Sequence, residues 1–178
     1  MARQVKVSVV VKKALRDRIQ QLANPEITRQ VSRSAALAGA KVFSEHAKQI
    51  VRVYNGPLKY RYWDGKRTKP IVPGEIRDAI YHAFNPEQSV NGKQSYTVSW
   101  NTTKVGFAHM IEYGHVVKNR KDGPVLGFAP PYPFIRKSFE KKDEAFSRMR
   151  ERALDRFNYL FRQVMAGKSL ASVDVESE

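Results

Sequence analysis

The sequence predicts an α+β fold: a small, mostly antiparallel β-sheet packed against two long α-helices, with a long projecting loop. Three observations predict it. Two stretches, residues 25–53 and 133–165, hold helical apolar spacing for twenty residues or more. Residues 3–11 and 94–100 alternate apolar and polar side chains as strands do. Residues 54–73 keep neither period and contain Pro57, Pro70, Pro73, Gly56 and Gly65.

Along the chain, Val5, Val7 and Val9 alternate with Lys6 and Ser8, giving a first strand. Residues 12–22 move to helical spacing through Ala14, Leu15, Ile19 and Leu22. Asn24-Pro25-Glu26 then starts a long helix. Asn24 can cap, Pro25 suits the first helical position, and Glu26 suits the positive end of the dipole. The middle of that helix is small-residue rich (Ser34-Ala35-Ala36, Ala38-Gly39-Ala40) and so admits a close neighbour. After 54–73, Ile76, Ile80, Ala83 and Phe84 have helix-like spacing, stopped at Asn85-Pro86, though a short strand within 80–88 also fits. Asn91-Gly92 signals a turn into the strand carrying Tyr96, Val98 and Trp100. Residues 107–113 form a short helix, which Gly114 ends in a left-handed conformation. Residues 116–131 read as a second loop, basic at Lys118, Arg120 and Lys121.

The last helix carries the stripe Phe139, Phe146, Met149, Ala153, Phe157, Leu160 and Val164. These large side chains match the hollows of the 25–53 helix, so the two helices are expected to pack together over the sheet. Residues 1–166 make a single domain, and residues 167–178 an acidic tail expected to be flexible.

The chain has 178 residues with 32 Lys and Arg against 17 Asp and Glu, a net charge of +15. The tail contributes −2, leaving +17 on residues 1–166. A field of that sign draws polyanions. With no Cys there are no disulfides, thiolate metal ligands or thiol nucleophiles. No apolar run reaches the roughly 20 residues a membrane span needs, and no signal-peptide pattern opens the chain. The expected site of synthesis is a cytoplasm.

Three places invite a chemical reading. His109, Glu112 and His115 lack the i, i+4 spacing of the helical two-His zinc motif, so no metal, cofactor or catalytic role is assigned to them. Glu112 sits in the last turn of its helix, facing the negative dipole end. It should therefore need a partner, either backbone N–H groups of the following loop or Arg136. Such a clamp would pin the 105–114 helix to the start of the long one. The third place is the aromatic and basic segment of Tyr54, Lys59, Tyr60, Arg61, Tyr62, Trp63, Lys66 and Arg67. It suits base stacking with phosphate contact, or a protein interface rich in Tyr, Trp and Arg. Composition favours the interface, and both readings hold if the segment lines a DNA passage.

The order of motifs resembles the neck or tail-completion proteins of tailed bacteriophages, the minor components that join head to tail. An Ala-rich helix leads to Gly74-Glu75-Ile76-Arg77-Asp78-Ala79-Ile80, then to the strand at 96–100. Phe107-Ala108-His109-Met110-Ile111-Glu112-Tyr113-Gly114 follows, and then Pro133-Phe134-Ile135-Arg136 opening the last helix. Order and spacing match across residues 24–164. The segment before Gly74 departs from the pattern, being longer, more aromatic and more basic. The resemblance implies the same α+β fold and a structural, non-enzymatic ring subunit of the virion, commonly six-fold. Its partners would be copies of itself, head-completion proteins and tail-terminator or tail-tube proteins. Double-stranded DNA would pass through without sequence-specific contact, past channel residues Lys118, Arg120 and Lys121. Glu112, Gly114, Phe134 and Arg136 would be the structural clamp, and residues 54–67 the partner loop. The alternative is a nucleic-acid-binding protein using residues 58–69; a metal-dependent hydrolase at His109, Glu112 and His115 is a third reading.

Overall fold

The computed structural model describes residues 24–56, 60–63, 66–70, 72–90, 93–118 and 123–168, with backbone alone for 60–63 and 66–69. The strand and helix expected within residues 1–22, the Asn91-Gly92 turn and most of the acidic tail lie outside them. The fold is α+β.

Helix α1, Pro25–Ile50, begins where its sequence dictates: Asn24 Oδ1 accepts the Glu26 N–H at 2.9 Å. It ends when Val51 turns extended and donates its N–H to Ala47 O. Strands β1 (Tyr60–Trp63) and β2 (Lys66–Pro70) pair antiparallel. The segment expected to be an irregular loop is therefore largely a hairpin.

Helix α2, Glu75–Ala79, is entered through Gly74 at φ 80° and gives way at once to strand β3, Ile80–Phe84. The apolar spacing over 76–84 thus serves a short helix and then a strand. Strand β4, Tyr96–Trp100, pairs antiparallel with β3, Ile80 opposite Trp100 and Phe84 opposite Tyr96. Helix α3 is Ala108–Tyr113. Strands β5 (His115–Lys118) and β6 (Val125–Ala129) form a third antiparallel pair. The second expected loop is therefore also a hairpin, and in place of one sheet the described residues form three separate two-stranded ones. Helix α4 (Phe134–Ser138), a 3₁₀ turn (Phe139–Lys141) and helix α5 (Lys142–Met165) make one interrupted rod. No helix among the described residues is long and apolar enough to cross a membrane.

The main core joins the end of α1 (Ala47, Val51) to Ile76, Ala79 and Ile80, and to Val105, Ala108 and Phe134. Phe134 is fully buried, its ring 5.8 Å from that of Trp100. Helix α1 also lies against β3 and β4.

The α1–α5 packing corrects one expectation. The two helices do pack along their lengths, and the small-residue hollow is filled, but by Met149. A Cβ on Gly39 would come within 2.7 Å of the Met149 sulfur. Ala145, Leu160 and Val164 complete the buried face, Leu160 and Val164 closing on Ile27. Two arginines tie the same face to α1: Arg152 Nε donates to Ser34 Oγ at 2.9 Å and Arg156 to Gln30 Oε1 at 3.0 Å. The phenylalanines assigned to this face lie elsewhere. Phe146 is 64% exposed, Phe157 41% and Phe139 66%, although Phe139 stacks on Phe43 of α1. A helix offers one neighbour one arc of its surface, and the smaller apolar residues occupy it.

Candidate assembly site

Glu112 is the most deeply buried charged side chain among the described residues, at 1% exposure. Its Oε2 accepts the Ile135 N–H at 3.0 Å; its Oε1 accepts the Arg136 N–H and Nε–H, both at 3.2 Å. Arg136 Nη2 returns a bond to the Glu112 carbonyl at 2.7 Å. Ile135 and Arg136 belong to the first turn of α4, whose N–H groups have no partner within their own helix. Pro133 precedes that turn and offers no capping side chain. Glu112 therefore caps α4 from outside. The positive end of the α4 dipole offsets the negative end of α3 on which Glu112 sits. The Arg136 guanidinium, half exposed, lies 5.0 Å from the Tyr113 ring centre.

Gly114 has φ 75° and ψ 167°, a conformation open essentially to glycine alone and extended rather than left-handed helical. A Cβ there would lie 2.7 Å from Ala129 O and 2.9 Å from Pro131 N. The chain leaves α3 at this point and returns at Tyr132, whose N–H donates to Ile111 O at 2.7 Å and whose hydroxyl donates to Ile50 O at 2.8 Å. Between these anchors stands the β5–β6 arm. Val116, Val117, Val125, Leu126 and Phe128 on it are 37–65% exposed. In register, Val116 faces Phe128 and Val117 faces Gly127, so apolar side chains occupy both faces. Lys118, exposed, ends β5, while Arg120 and Lys121 lie outside the described residues.

Tyr54 borders a hollow of about 400 Å³ with Arg52, Val72, Glu75, Phe107 and Ile111. Tyr60, Arg61, Tyr62, Trp63, Lys66 and Arg67 lie on β1 and β2, Tyr62 opposite Arg67 and Trp63 opposite Lys66. Lys59 lies outside the described residues.

The histidines do not converge on Glu112. His109 Nδ1 meets Gly106 O within its own turn, and His115 Nδ1 lies 3.4 Å from Met110 O. Among the described residues no three His, Asp or Glu side chains gather as a metal site. A Ser–His pair does form, one that spacing could not reveal because its members are far apart in sequence. Ser44 Oγ and His82 Nδ1 are 3.0 Å apart. Ser44 is 1% exposed and donates to Lys41 O, so its hydroxyl is closed to a substrate and the pair is a cross-brace between α1 and β3. Burial, and after it Lys41 and Lys48, lower the His82 pKa below its ordinary value.

Sequence reasoning missed the arm and the outward aromatic stripe of α5. The signal was present as apolar residues at 125, 126 and 128 inside a Pro/Gly-rich stretch. No protein-family model, curated protein or solved structure matches this chain.

Proposed function

We propose that the chain is a structural subunit of a tailed-phage neck, assembling into a ring that joins the DNA-filled head to the tail. One observation carries the reading. The two motif segments behind the resemblance, Ile111-Glu112-Tyr113-Gly114 and Pro133-Phe134-Ile135-Arg136, meet as one unit through the Glu112 carboxylate. A shared order of short motifs is weak evidence while each motif stands alone. It gains weight when the residues that define them are physical partners.

In this reading the chain holds no cofactor and turns over no substrate. Its partners are copies of itself, head-completion proteins and tail-terminator or tail-tube proteins, and its place is the virion. A positive body around a DNA passage gives a smooth field that lets DNA slide, which base-specific contacts would hinder. Electron microscopy of the purified protein, alone and with its head and tail partners, tests the reading. Rings, and loss of head–tail joining when residues 59–69 are deleted from a chain that still folds, are the expected outcome. Full joining by the deletion variant would refute the role of that hairpin.

A second reading, a free nucleic-acid-binding factor, is favoured by the β1–β2 register that sets Tyr62 opposite Arg67 and Trp63 opposite Lys66. Salt titration separates the two. A neck subunit binds DNA weakly and without sequence preference, and loses it largely between about 50 and 200 mM salt. Tight, sequence-selective binding that survives high salt favours the second.

A further inference from the structure

We infer that copies of this chain associate head to tail, the β5–β6 arm of one lying along the outward aromatic stripe of α5 on the next. The inference rests on the ring reading above and names the surfaces that would make the ring.

The arm cannot be a free hairpin by choice. A lone two-stranded ribbon is marginal in water unless further strands or a helix cover an apolar face, and this one exposes Val116, Leu126 and Phe128 at 51%, 65% and 60%. Among the described residues, neither strand packs extensively on any other element. The second uncovered apolar surface is on α5. Phe146, Leu154, Phe157 and Phe161 are 64%, 53%, 41% and 39% exposed. Their spacing puts them within one arc of the helix, beside the arc given to α1. The Phe157 and Phe161 rings stack with their centres 6.4 Å apart.

Area and pairing select the occupant. Scaled by exposure, each patch is on the order of 500 Å², as large as the biggest apolar patch a monomer ordinarily leaves open. Joined, they remove about 1,000 Å² from water, where specific interfaces begin. Arm on arm would leave every α5 stripe bare, and stripe on stripe would leave every arm bare. Arm on stripe covers the Val116–Phe128 face of the arm and the stripe with a single kind of contact. Unless a two-fold axis makes the exchange reciprocal, a contact between two different patches propagates and closes into a ring when the rotation permits. Charge agrees: Lys118 ends the first strand of the arm, Asp143 lies in the stripe's arc one turn before Phe146, and neither has an ion-pair partner among the described residues.

The absence of Cys makes the test clean, since any disulfide must join introduced residues. Leu126→Cys and Leu154→Cys are prepared separately in the full chain, both positions being exposed, and unchanged melting confirms the fold. Equal amounts are mixed and oxidised. The expected result is a disulfide-linked dimer in the mixture, with at least ten-fold less from either variant alone. The double variant should give a ladder ending at the ring size; stopping at a doubly linked dimer marks a reciprocal two-fold exchange and overturns the head-to-tail contact. A second pair, Val116→Cys with Phe157→Cys, guards against one unfavourable geometry. Self-linking of either variant as efficient as the mixture overturns the head-to-tail contact. Rings by microscopy without cross-linking in either pair overturn this contact and leave the ring reading intact. No link in either pair and no ring, alone or with the head and tail partners, overturns both. A link within one chain between Leu15→Cys and Leu154→Cys, with no intermolecular link, also overturns the inference, because residues 1–23 would then cover the stripe.

Discussion

Replacing Glu112 by Gln keeps the shape of the side chain and removes its charge, and the geometry says what that should cost. The carboxylate accepts three N–H groups, one on Oε2 and two on Oε1. An amide has one acceptor oxygen and one NH₂. Its best orientation puts the oxygen toward the two Arg136 donors, which turns the NH₂ against the Ile135 N–H. A buried donor left unsatisfied costs about 1–3 kcal/mol, and the two Arg136 bonds, now made to a neutral oxygen instead of an anion, weaken by roughly 0.5–1 kcal/mol each. The sum is about 2–5 kcal/mol. For a chain of this size that lowers Tm by roughly 4–20 °C, readable by calorimetry or circular dichroism. Arg136→Met is the control. The Arg136 side chain is more than half exposed, so its ion pair is screened and its loss should cost only about 1 kcal/mol. The two backbone bonds to Glu112 survive that change. A Glu112→Gln chain melting within about 2 °C of the parent would refute the capping argument. So would an Arg136→Met cost exceeding that of Glu112→Gln, because the half-exposed ion pair would then outweigh the backbone cap.

Phe134→Ala should cost about 3–5 kcal/mol, since the ring is wholly buried; Phe146→Ala should cost less than about 0.5 kcal/mol in the isolated chain, and equal melting shifts would refute the assignment of faces on α5. Gly114→Ala should destabilise by about 1–3 kcal/mol from backbone strain alone, with more from the approach to Ala129 O; chemical denaturation measures it, and no change in midpoint would mean the turn relaxes freely. His82 gives a pH dependence whose sign follows from its lowered pKa. The unfolded chain binds this proton more readily than the folded one, so the contribution of His82 is intact above about pH 7. It is lost as pH falls from the ordinary histidine value of about 6.5 toward the lower folded value. Melting temperature followed between pH 8 and 5 should fall, and His82→Gln should remove part of that fall; identical profiles would refute it.

The readable and unreadable parts of the sequence divide on physical grounds. Asn24, Pro25 and Glu26 announced the start of α1 because capping is a local act, completed within three residues. Glu112 announced a distant partner because a carboxylate at a helix C-terminus is unfavourable without one, and Arg136 was among the few donors at hand. The hairpins were hidden for opposite reasons. In β5–β6 the apolar residues fall on both faces, so the alternation that marks a half-buried strand is missing. Over 76–84, one apolar run crosses from helix to strand, and its spacing satisfies both for a few residues. The phenylalanines of α5 were legible as a stripe but not as an outward one. Helical spacing records that residues share a side and is silent on what that side meets.

The anchors beneath the arm have an engineering consequence. Glu112 bonded to Ile135 and Arg136, with Tyr132 bonded to Ile111 and Ile50, closes the backbone at the root of the excursion. Everything from residue 115 to 130 is then a cassette set into an already completed frame. A short Gly-rich bridge could replace it, or an epitope tag or a longer ribbon could be spliced in, at a loop-closure cost that grows only with the logarithm of the insert's length. Such grafts would alter what the molecule docks with while leaving its melting transition in place.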